Sequence, residues 1–249
     1  GMNIYVMSNT EGQGQNEIIF FVDINGDKGL YSFIDKNDID TALFFDGNLT
    51  DQKGHTVSES GKNYFVNDAI YSKALNINGD GYISLDNLTL DDDNVYTFMT
   101  YINIREAVLT GHDPVLFGNK NWQLGKNSGL TVALRPNDVK LSLGYNGTDK
   151  QEIFTTYPDN YLNHWFHLII IIDMNNQNVD IYINFRLASS TKITNSSLTL
   201  ESTYKFNIGQ DGVGTYGDKP NIYLDDFIVL NKALTNTEVS NFKGYYYSK

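Results

Sequence analysis

From Trp165 to Asp173 the chain reads WFHLIIIID, nine residues with almost no polar interruption. A run so rich in β-branched residues, and far shorter than the ~20 residues of a membrane-spanning helix, predicts a strand buried on both faces. The next residues, 174–178, are polar and suit a turn. From Val179 the pattern changes. Val179, Ile181, Ile183 and Phe185 alternate with Asp180, Tyr182, Asn184 and Arg186. That is the period-2 signature of a strand with one wet face. Residues 163–190 therefore predict a long hairpin, and its first strand needs apolar cover on both sides.

The remaining apolar segments are short and punctuated by Gly, Asn, Asp or Pro. A short apolar piece covers residues 4–7. Residues 17–23 and 30–34 flank Asn25-Gly26-Asp27 and predict a hairpin. Further strands are predicted over 41–45, 69–77, 82–85, 95–104, 115–117, 122–124, 130–134, 139–145, 153–155, 204–208 and 222–230, with a polar loop from 46 to 63. One helix is predicted near the C-terminus. Thr235-x-x-Glu238 spells a capping box, Val239 and Phe242 supply an apolar face, and Gly244 stands where a C-terminal cap belongs. Many short strands with one short helix predict an all-β fold, an antiparallel two-sheet β-sandwich.

Composition narrows the chemistry. Hydrophobic residues make up 41% of 249, enough for one large β domain or two small ones. The formal net charge of −12 repels phosphate and argues against nucleic acid as a partner. It suits cations, neutral sugars or basic proteins. Without cysteine there is no disulfide, thiolate metal site or Cys nucleophile. No signal-peptide pattern opens the chain, and Gly1-Met2 fits either a remnant ahead of a start codon or a start inside a longer protein.

Several motifs resolve into ordinary structure. Asp23-x-Asn25-x-Asp27 has calcium-loop spacing, but Lys28 and Ile34 stand where Gly and Glu are needed. The stretch from Asn76 fits better, with Gly81 sixth and Ile83 eighth, yet Asn87 occupies the place of the bidentate Glu. A hairpin turn is the expectation at both places, with the oxygens of Asn78 and Asp80 kept as candidates. Asp91-Asp92-Asp93 is contiguous, so its carboxylates diverge in a solvated turn. Gly212-x-Gly214-x-x-Gly217 spells a dinucleotide fingerprint, but a strand follows it rather than a helix. His164 and His167 fall on opposite faces of a strand, with Trp165 as core, and His112-Asp113 is a turn before Pro114. No serine elbow, phosphate loop or zinc spacing occurs.

Four pieces stand in an ordered set: Leu43-Phe44-Phe45-Asp46-Gly47-Asn48; Lys73-Ala74-Leu75-Asn76-Ile77 leading into Gly81-Tyr82-Ile83; His164-Trp165-Phe166-His167 with its hairpin; and Asn207-Ile208-Gly209 with the segment from Leu224 to Leu234. Over residues 41–243 this resembles the laminin-G-like jelly roll of the concanavalin A-like lectin and glucanase superfamily. Residues 1–40 then form an N-terminal extension with a hairpin, as edge strands of the same sandwich or part of a neighbouring module. Residues 41–249 form the jelly roll.

The resemblance implies two curved antiparallel sheets, a ligand groove and one structural calcium, with Asp46 and Asp225 as carboxylate ligands. Backbone oxygens near Asn78 and Asp80 complete the expected set. Asp225 and Asp226 are adjacent, so one of them points inward, where a carboxylate must be metal-bound or hydrogen-bonded. The other reading is that it caps backbone amides or pairs with a lysine. Glucanases of the superfamily carry Glu-x-Asp-x-Glu on one strand, and this chain has no such triplet, so no catalytic residue is expected. The expected function is non-catalytic, lectin-like binding of a polysaccharide or glycan by Trp122, Tyr145, Tyr157, Tyr161 and Tyr216, aromatics near Gly/Asn turns. The alternative is a structural or adhesion module of a phage tail or cell-surface protein that binds protein. Either places the chain outside the cell, on its surface or on a phage particle.

Overall fold

The computed structural model describes residues 4–7, 19–22, 34–90 and 94–247. Strands β1 (Ile4–Met7) and β2 (Ile19–Val22) pair antiparallel as a separate two-stranded sheet. After a 3-10 turn at Lys36–Asp38 come β3 (Ile39–Leu43), β4 (Val57–Gly61), β5 (Tyr64–Val66), β6 (Ala74–Ile77), β7 (Gly81–Leu85), β8 (Val95–Ile104) and β9 (Val115–Gly118). Then follow β10 (Gly129–Leu134), β11 (Asp138–Tyr145), β12 (Asp149–Thr156), β13 (Trp165–Asp173), β14 (Asn178–Ile183), β15 (Arg186–Lys192), β16 (Phe206–Ile208), β17 (Ile222–Leu230) and the helix α1 (Asn236–Tyr247). They form two antiparallel sheets. The seven-stranded sheet runs β12-β11-β10-β9-β16-β7-β4, and the eight-stranded sheet runs β15-β14-β13-β8-β17-β6-β5, with β3 added on β17.

The predicted two-faced strand is β13. Leu168, Ile170 and Ile172 point into the core between the sheets. Ile169 and Ile171 point the other way, into a second core. That second core is closed by Val239 and Phe242 of α1 and by Ile34, Ile39, Ala42 and Phe44. The helix begins at the expected capping box: the Thr235 amide donates to Glu238 Oε2 at 2.8 Å, and the Glu238 amide donates to Thr235 Oγ1 at 3.2 Å. Because Ile34 and Ile39 join this core and β3 pairs with β17, residues 34–40 belong to the sandwich.

The structure corrects several local expectations. The wet strand from Val179 is two strands: Asn184 and Phe185 both have positive φ (50° and 62°) and make a two-residue turn between β14 and β15. The Asn78-Gly79-Asp80 turn is not a hairpin but a corner, because β6 lies in the eight-stranded sheet and β7 in the seven-stranded one. Residues 122–124 form a loop instead of a strand, β4 lies where a loop continuing to residue 63 was expected, and β5 follows directly after it. Gly244 does not cap the helix, which continues to Tyr247. The first half of the expected 17–34 hairpin pairs with β1; its turn, and with it the Asp23–Asp27 spacing, lies outside the described residues, as do Asp91–Asp93.

Candidate functional site

Four loops at one end of the seven-stranded sheet contribute to an open groove of about 670 Å3. Thr89 and Leu90 follow β7, Asn121, Asn127 and Ser128 lie between β9 and β10, Tyr145, Asn146 and Gly147 turn from β11 to β12, and Thr199 to Tyr204 precede β16. The loops are braced from within. Asn119, buried, donates to Leu200 O (2.8 Å) and accepts from the Leu130 amide (2.9 Å), tying the 199–204 segment to β10. The Asn146 amide donates to Ser128 Oγ at 2.9 Å, and Asn127 Nδ2 donates to Asn121 O at 2.9 Å. Gly144 admits the crossing of the 125–127 loop: a Cβ there would stand 2.1 Å from Asn127 O.

Two tyrosines stand out of this groove into water, Tyr145 at 41% and Tyr204 at 45% exposure. A large exposed aromatic among amides and hydroxyls offers a face for stacking and donors and acceptors for fixing hydroxyl groups. Tyr145 was an expected ligand residue. Tyr204 was not, because the apolar pattern placed it at the head of a predicted strand. Its sequence signal is the Ser202-Thr203 turn just before it, which begins β16 two residues later than the apolar pattern suggests.

Trp122 and Tyr216 meet each other elsewhere, 6.4 Å apart between ring centroids, on the outer face of the same sheet. Trp122 is almost wholly buried against Val115 and Ala133. It is not an open stacking platform, because the 119–127 and 210–217 loops fold over the sheet. Asp211 holds the second loop: Oδ1 accepts from the amides of Gly214 (2.9 Å), Thr215 (3.1 Å) and Tyr216 (3.3 Å), and Oδ2 accepts from the Trp122 amide (3.1 Å). The glycine-rich spelling thus serves a loop wrapped on a carboxylate. Below it, Lys140 Nζ contacts Asp113 Oδ2 at 2.7 Å and stands 4.0 Å from Glu152, and the Tyr216 hydroxyl donates to Asp113 Oδ1. Desolvation and Asp113 raise the Tyr216 pKa. The carboxylates here are engaged in pairs, and Asp113, Lys140 and Glu152 do not line the groove.

Lys120 is the most unusual member of this cluster. It is fully buried, donating to Gly125 O and Ser142 Oγ at 2.9 Å each. Burial pulls its pKa down from 10.5 to about 7. The unfolded chain therefore binds a proton that the folded chain releases between pH 7 and 10.5, and stability contributed by this group rises with pH across that window. Lys120→Met should flatten the rise in melting temperature between pH 7 and 10 relative to the parent; parallel curves would contradict this assignment.

Tyr157 and Tyr161 form a third, structural place. Their rings are 4.3 Å apart. Tyr157 is buried in the sandwich core, and its hydroxyl donates to Arg135 O at 3.0 Å, which corrects its expected solvent position. The Tyr161 hydroxyl donates to Pro136 O at 2.8 Å. Both tyrosines pin the β10–β11 turn.

The four expected calcium ligands do not form one set. Asp225 and Asp226 are both buried, contrary to strict alternation, because β17 bulges there and Asp226 has φ 55°. At this bulge β17 changes partner from β6 to β3. Asp225 Oδ2 accepts from the amides of Ile70 and Tyr71 at 2.9 Å each, the amide-capping alternative. Asp46 comes to the same end of β17, since Leu43 pairs with Phe227, and Lys73 lies against its neighbour Gly47. Asn78 and Asp80 do not. Ile77 pairs with Ile222, which leaves Asn78 four residues along the strand from the level of Asp225, roughly 13 Å away at the rise of an extended chain. Among the described residues no group of three or more His, Asp or Glu is placed to hold a metal ion.

The fold places the chain among known proteins. No curated protein sequence matches it. Its fold is similar to that of botulinum neurotoxin type C, in a structure tied to the dependence of cell entry on two ganglioside molecules (TM-score 0.68, 17% identity, 84% of this chain and 51% of that chain). It is similar to the binding domain of botulinum neurotoxin DC in complex with rat synaptotagmin II (TM-score 0.68, 18% identity, 84% and 52%) and in complex with SialylT (TM-score 0.66, 18% identity, 84% and 51%). The chain spans about half the length of each. Residues 78–240, well over half of the 249, match the family described as the concanavalin A-like lectin/glucanases superfamily. With its two-sheet sandwich and this match, the chain belongs to the concanavalin A-like lectin/glucanases superfamily.

Proposed function

We propose that this protein is a non-catalytic, carbohydrate-binding module acting at or outside the cell surface, and that the groove between Tyr145 and Tyr204 takes the glycan. The observation that carries this reading is the pairing of two exposed tyrosines with amide and hydroxyl side chains in one open groove. Its volume lies within the ~300–1,000 Å3 common for ligand sites. The similar neurotoxin structures, one concerned with gangliosides and one containing SialylT, support a glycan-binding use of the fold.

The test is a glycan array on the purified chain, run with calcium and again with a chelator. Tyr145→Ala and Tyr204→Ala should each weaken binding to any hit by about tenfold or more, the size of loss that a central aromatic contact produces. Hits that survive both substitutions would move the site elsewhere. The chelator arm reports separately on whether binding needs calcium.

A second reading, protein binding in an adhesion or phage-tail assembly, has its own observation. Leu124 and Val213 are exposed on the two adjoining loops that cover Trp122. A similar neurotoxin domain is in complex with synaptotagmin II. An empty array together with a protein partner lost on Leu124→Ser would favour it.

A further inference from the structure

We infer that the groove selects saccharides free of carboxylate, sulfate or phosphate groups, and that Glu201 sets this preference. The inference rests on the glycan-binding reading and names the class of ligand. Among the described residues, Glu201 is the only formally charged one lining the groove, and no Lys, Arg or His lines it. An anionic substituent entering there would lose water, find no cation to pair with and meet a carboxylate of like sign. The three lysines adjacent in sequence to lining residues do not supply the missing charge: Lys120, next to Asn121, is buried and donates to Gly125 O and Ser142 Oγ. Lys205, next to Tyr204, pairs with Asp86 at 2.8 Å. Lys126, next to Asn127, is exposed and outside the lining. The net charge of −12 adds long-range repulsion of the same sign.

What remains suits neutral hexoses and N-acetylhexosamines. Asn121, Asn127 and Asn146 offer amides, and Thr199 and Ser202 offer hydroxyls. Glu201 is held at the rim by its own amide, which donates to Thr199 Oγ1 at 3.0 Å. Its carboxylate accepts from sugar hydroxyls as charge-assisted bonds, stronger than an amide would make. One side chain thus favours the neutral ligand and disfavours the anionic one.

The test compares one oligosaccharide with its sulfated counterpart, titrated against the parent chain, Glu201→Gln and Tyr145→Ala at low and high salt. Two like charges about 4 Å apart in water cost about fivefold in affinity, before any desolvation. The parent should therefore prefer the neutral sugar by at least that factor, Glu201→Gln should narrow the gap, and high salt should narrow it in the parent. Glu201 is exposed, and matching melting curves for Glu201→Gln and the parent confirm an intact fold. Tyr145-dependent binding of the sulfated sugar as tight as the neutral one would overturn the inference and leave the glycan-binding reading standing. An unchanged preference in Glu201→Gln would overturn the role of Glu201. If neither sugar, nor any other glycan, binds, the glycan-binding reading itself falls and this inference falls with it.

Discussion

Phe98→Ala should lower stability by about 3–5 kcal/mol, the range for emptying an aromatic site in a close-packed core. Phe98 on β8 and Phe227 on β17 come from the eight-stranded sheet, and Phe117 on β9 and Phe206 on β16 from the seven-stranded sheet. The Phe98 ring lies 5.4 Å from Phe117 and 6.0 Å from Phe206, stacked on both, and Phe117 meets Phe227 edge-on at 5.2 Å. All four are essentially without solvent contact. Removing the central ring takes contacts from both sheets at once, and their backbones cannot collapse to refill the space. Against a total of about 5–15 kcal/mol for a typical domain, such a loss leaves a marginal fold. Denaturant unfolding measures it through the midpoint at unchanged slope. A loss below about 1 kcal/mol would mean that the sheets close over the gap and that this cluster does not join them. Tyr145→Ala, on an exposed turn, should stay within about 0.5 kcal/mol in the same assay.

The second large effect is acid sensitivity at His167. This residue lies on β13 with its ring stacked on Phe185 at 4.2 Å and edge-on to Tyr101 at 4.6 Å. Burial drives its pKa from 6.5 down to about 3. The folded chain thus keeps a neutral imidazole where the unfolded chain takes up a proton. Stability is at its full value above about pH 6.5 and falls as pH drops from there toward 3, because protonation then favours the unfolded state. The slope is about 1.4 kcal/mol per pH unit while one extra proton binds on unfolding. His167→Phe keeps a flat ring between Tyr101 and Phe185 and removes the titration. Unfolding free energies at several pH values from 7 to 4 should drop less steeply in the variant, by about one proton per molecule. Identical slopes would rule out His167 as the titrating group. The carboxylates and the other histidines contribute equally to both chains and cancel in the comparison.

The second effect belongs to β13, and β13 was legible in the sequence. An unbroken β-branched run tells that both faces are covered, whatever covers them. The capping box of α1 was legible too, because capping is a contact between residues three apart. Where the competing geometry is local, sequence is enough. It misled where a pattern of alternation continued through a turn. Ile183, Asn184, Phe185 and Arg186 keep the period of two while the chain reverses, since Phe185 remains apolar to pack on His167 from a left-handed backbone.

The candidate site was only half legible. Tyr145 stood out because it neighbours an Asn-Gly turn, whereas Tyr157 looked the same beside Pro158 and is buried by Arg135 and Tyr161. Solvent exposure depends on which loop folds across a residue, and that loop is distant in sequence. Trp122 makes the point most sharply: Asp211, eighty-nine residues away, accepts its amide and draws the covering loop over it. Likewise the Asp225-Asp226 pair looked like simple alternation, and only the change of partner from β6 to β3 places both carboxylates inside.

By itself the sequence determined the layers of this protein: an antiparallel sandwich, a central strand covered on both sides and a capped helix. Each of these follows from periodicities and contacts within a few residues. The tertiary structure alone decided which turns are corners between sheets, which aromatics remain in water and which loops converge on one groove. Those outcomes depend on pairings across tens to hundreds of residues, whose partners no local pattern identifies.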